Sequence, residues 1–111
     1  IVLNQQSMDK FEPMVRKGGL LLYDPNGITR HPVRKDIKVC SIEAADLSNR
    51  MEMSKAFNMV VLGAYLKMKP ILERHNVIQG LKKSLPERYH DLIPMNEKAI
   101  ELGMKEVKEV I

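Results

Sequence analysis

The stretch from residue 1 to residue 24 constrains the fold more than any other part of the chain. It begins with the apolar run 1–3 and, after a segment with helical spacing, reaches a glycine pair at 18–19 and a second apolar run at 20–23. Three amides and a serine follow the first run: Asn4, Gln5, Gln6 and Ser7. This order predicts a strand, a polar turn, a helix, a glycine stop and a second strand, which is typical of an α/β fold. The four polar residues then stand at the carboxyl end of a strand, where open α/β sheets bind ligands.

The first helix is predicted to start at Ser7, because serine is a favoured N-cap residue. Apolar residues at three- and four-residue spacing predict the face that packs on the sheet: Met8, Phe11, Met14 and Val15. Pro13 limits this helix to two turns or kinks it, since proline removes a helical hydrogen bond. The glycine pair at 18–19 provides the left-handed residue that ends a helix.

The segment after the second apolar run predicts a turn, a basic loop and a strand. Residues 24–27 read Asp-Pro-Asn-Gly, a sequence typical of a turn. The loop carries four basic or titratable residues: Arg30, His31, Arg34 and Lys35. A solvated loop is the favoured interpretation, and contact with phosphates or with an acidic partner is the alternative. Alternation over 37–42 predicts a short strand near the edge of the sheet.

Helices dominate the predicted structure beyond residue 42. We expect a short helix or a loop with helical turns over 43–53, and then a helix from Ser54 as its cap to about Met68, ended by Pro70. This second helix is apolar on nearly all sides, which predicts a central, covered position. Within it, Gly63 predicts a close approach to a neighbouring backbone.

Two more helices are predicted towards the end of the chain. One runs over 74–84, and its buried positions are Val77, Ile78, Leu81 and Leu85. The last helix opens at Pro94 and buries one side: Ala99, Ile100, Gly103, Val107 and Val110. Together the elements predict an α/β fold, a three-layer Rossmann-like sheet with flanking helices. We interpret residues 1–111 as a single domain and, because Ile1 already lies inside an apolar run, as the carboxyl-terminal fragment of a longer one.

Composition narrows the classes of protein that this chain can represent. It has 18 basic against 14 acidic residues, for a net charge of +4, and only five aromatic residues, Tyr 3 and Phe 2. A basic excess favours anionic partners, but with few aromatics and no recognised motif we expect no nucleic acid. The apolar segment 56–68 is shorter than the ~20 residues that span a bilayer, so we expect no membrane partner. A single cysteine without a disulfide framework favours a reduced, cytoplasmic location.

We interpret the cysteine, the three histidines and Asp24 as structural residues, without a role in chemistry. Cys40 is the only cysteine, which excludes a disulfide framework, a zinc thiolate cage and the four ligands of an iron–sulfur cluster. We interpret it as a small buried hydrophobe. The three histidines lie far apart in sequence, without the spacing of a metal triad. Asp24 follows a strand, as the ribose-binding acid of dinucleotide folds does, but the residues after it favour a turn former.

Three blocks of residues together resemble the gamma subunit of the 2-oxoacid:ferredoxin oxidoreductases. The first block combines Asn4-Gln5-Gln6, Asp9-Lys10-Phe11 and Lys17-Gly18-Gly19 before the apolar strand. The other two blocks are Asn58-Met59 with Leu62-Gly63-Ala64, and Leu92-Ile93-Pro94 with Asn96, Ala99 and Gly103. Their order and approximate spacing agree across nearly the whole chain, and the 2-oxoglutarate and 2-oxoisovalerate enzymes are the members that it resembles most.

The resemblance implies the fold known as domain III of pyruvate:ferredoxin oxidoreductase and a place in a multi-subunit enzyme. Such enzymes convert a 2-oxoacid and coenzyme A to acyl-CoA, carbon dioxide and reduced ferredoxin. The chain would be a non-redox gamma subunit, inactive in isolation, whose partners are alpha, beta and ferredoxin-like subunits. Thiamine pyrophosphate, magnesium and 4Fe–4S clusters would belong to those partners.

The resemblance also implies that this subunit helps to bind and position coenzyme A. The candidate cofactor-binding residues are Asn4, Gln5, Gln6 and Ser7. Amide side chains both donate and accept hydrogen bonds, which suits a ligand that offers amide, hydroxyl and phosphate oxygens. We expect no catalytic and no metal-binding residue in this chain.

Two alternatives from other classes remain open at this point. In the first alternative, the chain is the nucleotide-binding half of a free-standing Rossmann-like enzyme, and Asp24 binds a ribose. In the second it is a basic interaction module without catalysis.

Overall fold

The computed structural model describes residues 1–52, 56–69 and 73–110. Its helices are α1 (Gln5–Phe11), α2 (Ala44–Arg50), α3 (Phe57–Met68), α4 (Arg74–Ser84) and α5 (Ile93–Glu106). Short 3-10 helices occupy Glu12–Met14, Pro25–Gly27 and Glu87–Leu92. The strands are β1 (Leu20–Tyr23), β2 (Lys38–Ser41) and β3 (Lys108–Val110). The predicted cap Ser54 and the predicted helix end Pro70 lie outside the described residues.

The sheet is mixed, with two parallel strands and one antiparallel strand. β1 and β2 pair in parallel, with Leu20 opposite Lys38, and β3 pairs antiparallel to β2. The opening apolar run, predicted as a strand, contributes one parallel bridge between Val2 and Tyr23. In this bridge the N–H of Val2 donates to the carbonyl oxygen of Leu22 at 2.8 Å. The order across the sheet is therefore Val2, β1, β2 and β3.

The end of the chain corrects two predictions. α5 stops at Glu106, and Val107 is extended, with φ −66° and ψ 138°. Val110 then pairs with Val39 in β3 instead of continuing the helix face. The spacing of residues 103, 107 and 110 fits a helix equally well, but β-branched valines favour extended backbone once a ladder partner is present. Because β3 covers it, β2 is not at the edge of the sheet.

The two faces of the sheet pack against different helices. Successive strand residues point to opposite faces, and Leu21, Tyr23 and Val39 join Met8 of α1 in one cluster. Leu22 and Cys40 join residues of α2, α3 and α5 in another. We call these the α1 face and the α3 face. A sheet between two helical layers confirms the predicted three-layer α/β class.

The helices α3 and α5 cross at two glycines. A Cβ atom on Gly63 would lie 2.0 Å from the carbonyl oxygen of Ile100, and one on Gly103 would lie 1.9 Å from that of Val60. Both distances are far inside van der Waals contact, so the backbones meet where the side chains are absent. The close approach predicted at Gly63 is confirmed, as is the central position of α3, which contributes to the clusters on both of its sides.

The predicted packing face of the first helix is right at two of its four positions. Met8 is fully buried and Val15 packs half-buried against the same cluster, but Phe11 and Met14 are 43% and 70% exposed. The third inward residue is Glu12, which lies in the 3-10 helix after α1, four residues beyond Met8. A pattern that counts apolar residues alone misses a face that contains a carboxylate. The predicted length of two turns is confirmed, because α1 ends at Phe11.

The bounds of α4 and the start of α5 agree with the prediction. α4 runs from Arg74 to Ser84. Of the predicted buried positions, Ile78 is buried, at 7% exposure, and Val77, Leu81 and Leu85 are half-buried. α5 opens with Pro94 in its first turn, where proline costs no hydrogen bond. In the part of the chain that the structure describes, no helix is long and apolar enough to cross a bilayer.

Candidate functional site

The predicted site residues lie at the carboxyl edge of the sheet. The bridge at Val2, β1 and β2 all run in parallel, so the segments after them leave at the same edge. Asn4 and α1 follow the bridge, the turn 24–27 follows β1, and the start of α2 follows β2. We call this group the carboxyl-edge site. The placement of Asn4, Gln5, Gln6 and Ser7 at such an edge agrees with the prediction.

Asn4, and not Ser7, caps the first helix. Its side-chain oxygen accepts a hydrogen bond from the N–H of Ser7 at 2.8 Å, and its backbone is extended. Asparagine is as good an N-cap as serine, and starting the helix three residues earlier puts Ser7 inside it, where it is half-buried. The prediction of Ser7 as the cap is therefore wrong.

Gln5 connects α1 to the loop that follows β1. Its side-chain oxygen accepts hydrogen bonds from the N–H groups of Thr29 and Arg30, at 2.8 and 2.9 Å, and from the Thr29 hydroxyl at 3.1 Å. Its amide nitrogen donates to Asp9 at 2.8 Å. The Gln5 amide thus holds the two segments together, and sequence reasoning missed this because its partners lie more than twenty residues away.

The turn after β1 lies directly on the segment before α1. A Cβ on Gly27 would lie 2.1 Å from the carbonyl oxygen of Leu3, so only glycine allows this approach. Within the turn, Asp24 is 3% exposed. Its two carboxylate oxygens accept hydrogen bonds from the N–H groups of Asn26 and Ala45, both at 2.9 Å. Asp24 therefore ties the turn to the start of α2, which agrees with its interpretation as a turn former.

Gln6 differs from the other two amides of this site in its hydrogen bonding. Asn4 and Gln6 are both exposed, but the Gln6 side chain makes no hydrogen bond within the described part of the chain, whereas Asn4 and Gln5 use theirs to shape the site. A glutamine amide can both donate to and accept from a ligand.

The basic loop is attached to α1 through a buried carboxylate that the sequence reasoning missed. Glu12 is 3% exposed. One of its oxygens accepts hydrogen bonds from the N–H groups of Val33 and Arg34, at 2.7 and 3.2 Å. The other is 3.3 Å from the guanidinium of Arg30. Burial raises the pKa of Glu12, but the two N–H groups and Arg30 outweigh that effect, so the pKa lies below its usual value.

Arg34 completes this attachment. Its guanidinium donates to the carbonyl oxygens of Glu12 and Val15 and to both carboxylate oxygens of Asp36, at 2.8 and 2.6 Å. Arg30 also pairs with Asp9 at 3.2 Å. The segment is a loop, as predicted, and Arg30 is exposed, whereas Arg34 is half-buried. The prediction did not include the pairing of both arginines with carboxylates. A carboxylate four residues after Met8 on the helix face, with arginines in a nearby loop, is the signal that would have indicated it.

Cys40 and the three histidines have contacts within the protein. Cys40 is fully buried, and burial raises the pKa of its thiol, which confirms its interpretation as a small hydrophobe. His31 is 3.2 Å from the hydroxyl of the buried Tyr23. His75 lies 3.1 Å from Glu73, and His90 lies 2.9 Å from the carbonyl oxygen of Leu85. Among residues 1–52, 56–69 and 73–110, no three His, Cys, Asp or Glu side chains are grouped as a metal site would require.

Similarity to known sequences covers nearly the whole chain. The sequence model of the family described as pyruvate ferredoxin/flavodoxin oxidoreductase matches residues 1–106. A pyruvate-flavodoxin oxidoreductase of Klebsiella pneumoniae is 29% identical over 90 residues, which cover 78% of this chain and 8% of that protein. The corresponding protein of Enterobacter agglomerans is 22% identical over 90 residues, with the same coverage. The chain thus spans only a small part of the curated relatives that it matches.

Two solved structures have the same fold. One is the gamma subunit of a keto/oxoacid ferredoxin oxidoreductase from Geobacter sulfurreducens, with a TM-score of 0.76 and 23% identity, and the match covers 94% of this chain and 60% of that one. The other is the pyruvate oxidoreductase subunit PORC of Thermotoga maritima, with a TM-score of 0.65 and 20% identity, covering 86% of this chain and 55% of that one. The predicted likeness to a gamma-subunit fold is confirmed.

Proposed function

Because the chain belongs to the pyruvate ferredoxin/flavodoxin oxidoreductase family, we propose that it acts as a non-redox gamma-subunit domain of a 2-oxoacid:ferredoxin oxidoreductase. Its role there is to help bind and position coenzyme A, the thiol that accepts the acyl group. The observation that carries the proposal is the family match over residues 1–106. The substrate is a 2-oxoacid, and we propose 2-oxoglutarate or 2-oxoisovalerate, although the curated relatives above are named for pyruvate.

The redox chemistry of such an enzyme does not fit the residues of this chain. An iron–sulfur cluster needs several thiolates, and the only cysteine, Cys40, is buried in the core. We therefore place the 4Fe–4S clusters, thiamine pyrophosphate and magnesium in the partner alpha, beta and ferredoxin-like chains. In this proposal the domain comprises residues 1–111 as the carboxyl-terminal part of the gamma subunit, and it is active only in the cytoplasmic complex.

We propose that one residue of the carboxyl-edge site contacts coenzyme A and that three others hold the site in position. Gln6 presents an exposed amide that can bond to amide, hydroxyl or phosphate oxygens. Asn4 fixes the start of α1, Gln5 fixes the loop beside it, and Ser7 anchors the cap through its N–H. We propose Gln6 as the contacting side chain and Asn4, Gln5 and Ser7 as positioning residues. A site held in this way orients a reactant without reorganising on binding.

The nearest alternative function uses Asp24 as a ribose-binding acid. Both oxygens of that carboxylate already accept backbone hydrogen bonds, and the residue is buried. Stabilisation of the turn accounts for both oxygens of Asp24, and no observation on this side chain favours a nucleotide.

The test measures coenzyme A dependence in the assembled enzyme. The complete protein that contains this chain is produced with the thiamine-binding and cluster-binding chains, and reduction of ferredoxin is followed at varied coenzyme A concentration. We expect Gln6→Ala to raise KM for coenzyme A roughly two- to tenfold, the effect of losing one hydrogen bond, with KM for the 2-oxoacid unchanged.

Gln79→Ala is the matched control, because Gln79 is an exposed glutamine on α4. It should leave both KM values unchanged. An unchanged KM for coenzyme A in Gln6→Ala would remove the proposed site and leave the subunit assignment intact. A protein that never joins the partner chains would remove the subunit assignment itself.

A further inference from the structure

The outer side of the first helix, together with the basic loop, carries most of the net positive charge of the chain. Residues 9–17 span the end of α1 and the 3-10 helix after it, and residues 30–36 form the basic loop. These two segments contain six Lys or Arg residues against three Asp or Glu residues, a net charge of +3, whereas the net charge of the whole chain is +4. The positive charge is therefore concentrated in one structural unit.

The three carboxylates of this unit are bonded within it. Asp9 and Glu12 lie 3.2 and 3.3 Å from the guanidinium of Arg30, and both oxygens of Asp36 accept hydrogen bonds from Arg34. The two arginines leave one negative charge unbalanced, against which four further cations remain. These four are exposed and form no ion pair in the part of the chain that the structure describes: Lys10, Arg16, Lys17 and Lys35.

A backbone hydrogen bond brings three of these cations close to one another. The N–H of Gly18 donates to the carbonyl oxygen of Asp36 at 2.8 Å. Lys17 and Lys35 are the residues before each of these, so they lie on adjacent segments, and Arg16 directly precedes Lys17. Because the protein already holds these segments together, a ligand that binds the three cations does not have to order their backbone.

Exposed apolar side chains lie beside the cations. Phe11 and Met14 are 43% and 70% exposed, and the Nζ atom of Lys10 is 5.3 Å from the centre of the Phe11 ring. A depression of about 330 Å³ is lined by Ile1, Phe11, Met14 and Val15. An apolar centre with a polar rim is the anatomy of a protein–protein interface. We call the following residues the basic surface: Lys10, Phe11, Met14, Arg16, Lys17 and Lys35.

We propose that the basic surface binds an acidic segment of another chain of the oxidoreductase assembly, in which carboxylates flank an apolar side chain. This inference rests on the proposed function. The carboxylates pair with Arg16, Lys17 and Lys35, and the apolar side chain enters the depression beside Phe11 and Met14. Complementary charge of this kind guides association and fixes the register of the two partners.

Other occupants fit the basic surface less well. A second copy of this chain would bring the same cations to a symmetric interface, where like charges repel each other. Single-stranded nucleic acid binds by stacking its bases on aromatic side chains, and Phe11 is the one aromatic residue of this surface. A membrane would meet in α1 a helix of seven residues, whereas many helices that lie on membranes have about 20–30 residues.

The first experiment reverses the charge of the basic surface in the complete protein produced with its partner chains. We expect Arg16→Glu combined with Lys17→Glu to raise the dissociation constant of the complex about tenfold or more, since like charges then face each other. The matched control, Lys82→Glu with Lys83→Glu, makes the same change of charge at two exposed positions of α4 and should leave the constant within about twofold. Circular dichroism checks that both variants are folded. An equal effect of the two variants would overturn the inference, because net charge alone would then account for it.

The second experiment identifies the occupant. A photo-crosslinking residue at Met14 should capture a segment rich in Asp and Glu from a partner chain, and one at Gln79, which is exposed on α4, should not. Capture of another part of the same protein, of a second copy, of phospholipid or of nucleic acid would overturn the inference while the proposed function stands. An assembled complex without any crosslink at Met14 would do the same. Failure of the unaltered protein to assemble with the partner chains would overturn both.

Discussion

The two faces of the sheet are held together by different kinds of interaction. On the α3 face, the side chains of α3 and α5 form an apolar cluster, and the two backbones touch at Gly63 and Gly103. On the α1 face, the apolar cluster is smaller, and the layer is completed by hydrogen bonds and ion pairs of Glu12, Arg30 and Arg34. Stability on the first face depends on shape, and on the second it depends on charge and hydrogen bonding.

The two faces should therefore respond to different changes. A close-packed face is disturbed by any added atom and is insensitive to pH. A face held by a buried carboxylate tolerates added volume at exposed positions such as Met14, which is 70% exposed, but it depends on the charge of Glu12.

Gly103→Val should destabilise the protein by about 3 kcal/mol or more, because overpacking of a core costs 1–3 kcal/mol and the clash here is with backbone. The added Cβ would lie 1.9 Å from the Val60 oxygen and 2.8 Å from the Ala64 nitrogen. Urea unfolding followed by circular dichroism measures the change. Gly80→Ala in α4 is the control, since a Cβ there meets nothing within 4 Å, and it should stabilise by up to about 1 kcal/mol. Equal stability of the Gly103 variant and the unaltered chain would contradict the proposed backbone contact.

Glu12→Ala should cost about 1–2 kcal/mol, because it leaves the N–H groups of Val33 and Arg34 without their acceptor in a partly buried site. The same unfolding experiment measures this, and trypsin cleavage after Arg34 should become faster as the loop is released. Asp46→Ala is the control, because the pair of Asp46 with Arg50 at 3.6 Å is exposed and is worth under about 1 kcal/mol. An equally small loss of unfolding free energy in both variants would show that Glu12 does not hold the loop.

Acid should weaken the α1 face before the α3 face. The pKa of Glu12 is lower in the folded protein than its ordinary value of 4.5. Its stabilising contribution is therefore complete above about pH 4.5 and is lost as the pH falls through the lower, folded value. Hydrogen exchange of the amides of Val33 and Arg34 between pH 5 and pH 3 measures the loss, after correction for the intrinsic rate. In Glu12→Gln this pH dependence should disappear, and its persistence would assign the effect to another group.

The α3 face was the more predictable from sequence. The apolar character of residues 57–68 indicated a central helix, and a glycine within it indicated the backbone contact, since both signals are local and hydrophobic. The partner glycine at 103 was predicted only as part of a buried stripe. The departure of Val110 into β3 was missed, because whether a valine extends a helix or joins a ladder depends on the strand beside it.

The α1 face and the carboxyl-edge site were predicted in position but not in detail. That Asn4 and Gln5 lie at the edge of the sheet followed from the order of strand and helix. The choice of Asn4 as the cap and the contacts of Gln5 with Thr29 depend on how a loop more than twenty residues later folds back. Interactions of charged and amide side chains across such a distance leave no periodic pattern in the sequence.

The crossing of α3 and α5 also explains part of the resemblance to the gamma subunits. Gly63 and Gly103 both belong to the blocks of residues that carried this resemblance, and both positions exclude every side chain because a main-chain oxygen occupies the space. Both positions are therefore requirements of the helix crossing, since a side chain at either one would push α3 and α5 apart. Agreement at these two glycines indicates a shared fold and carries no information on the ligand.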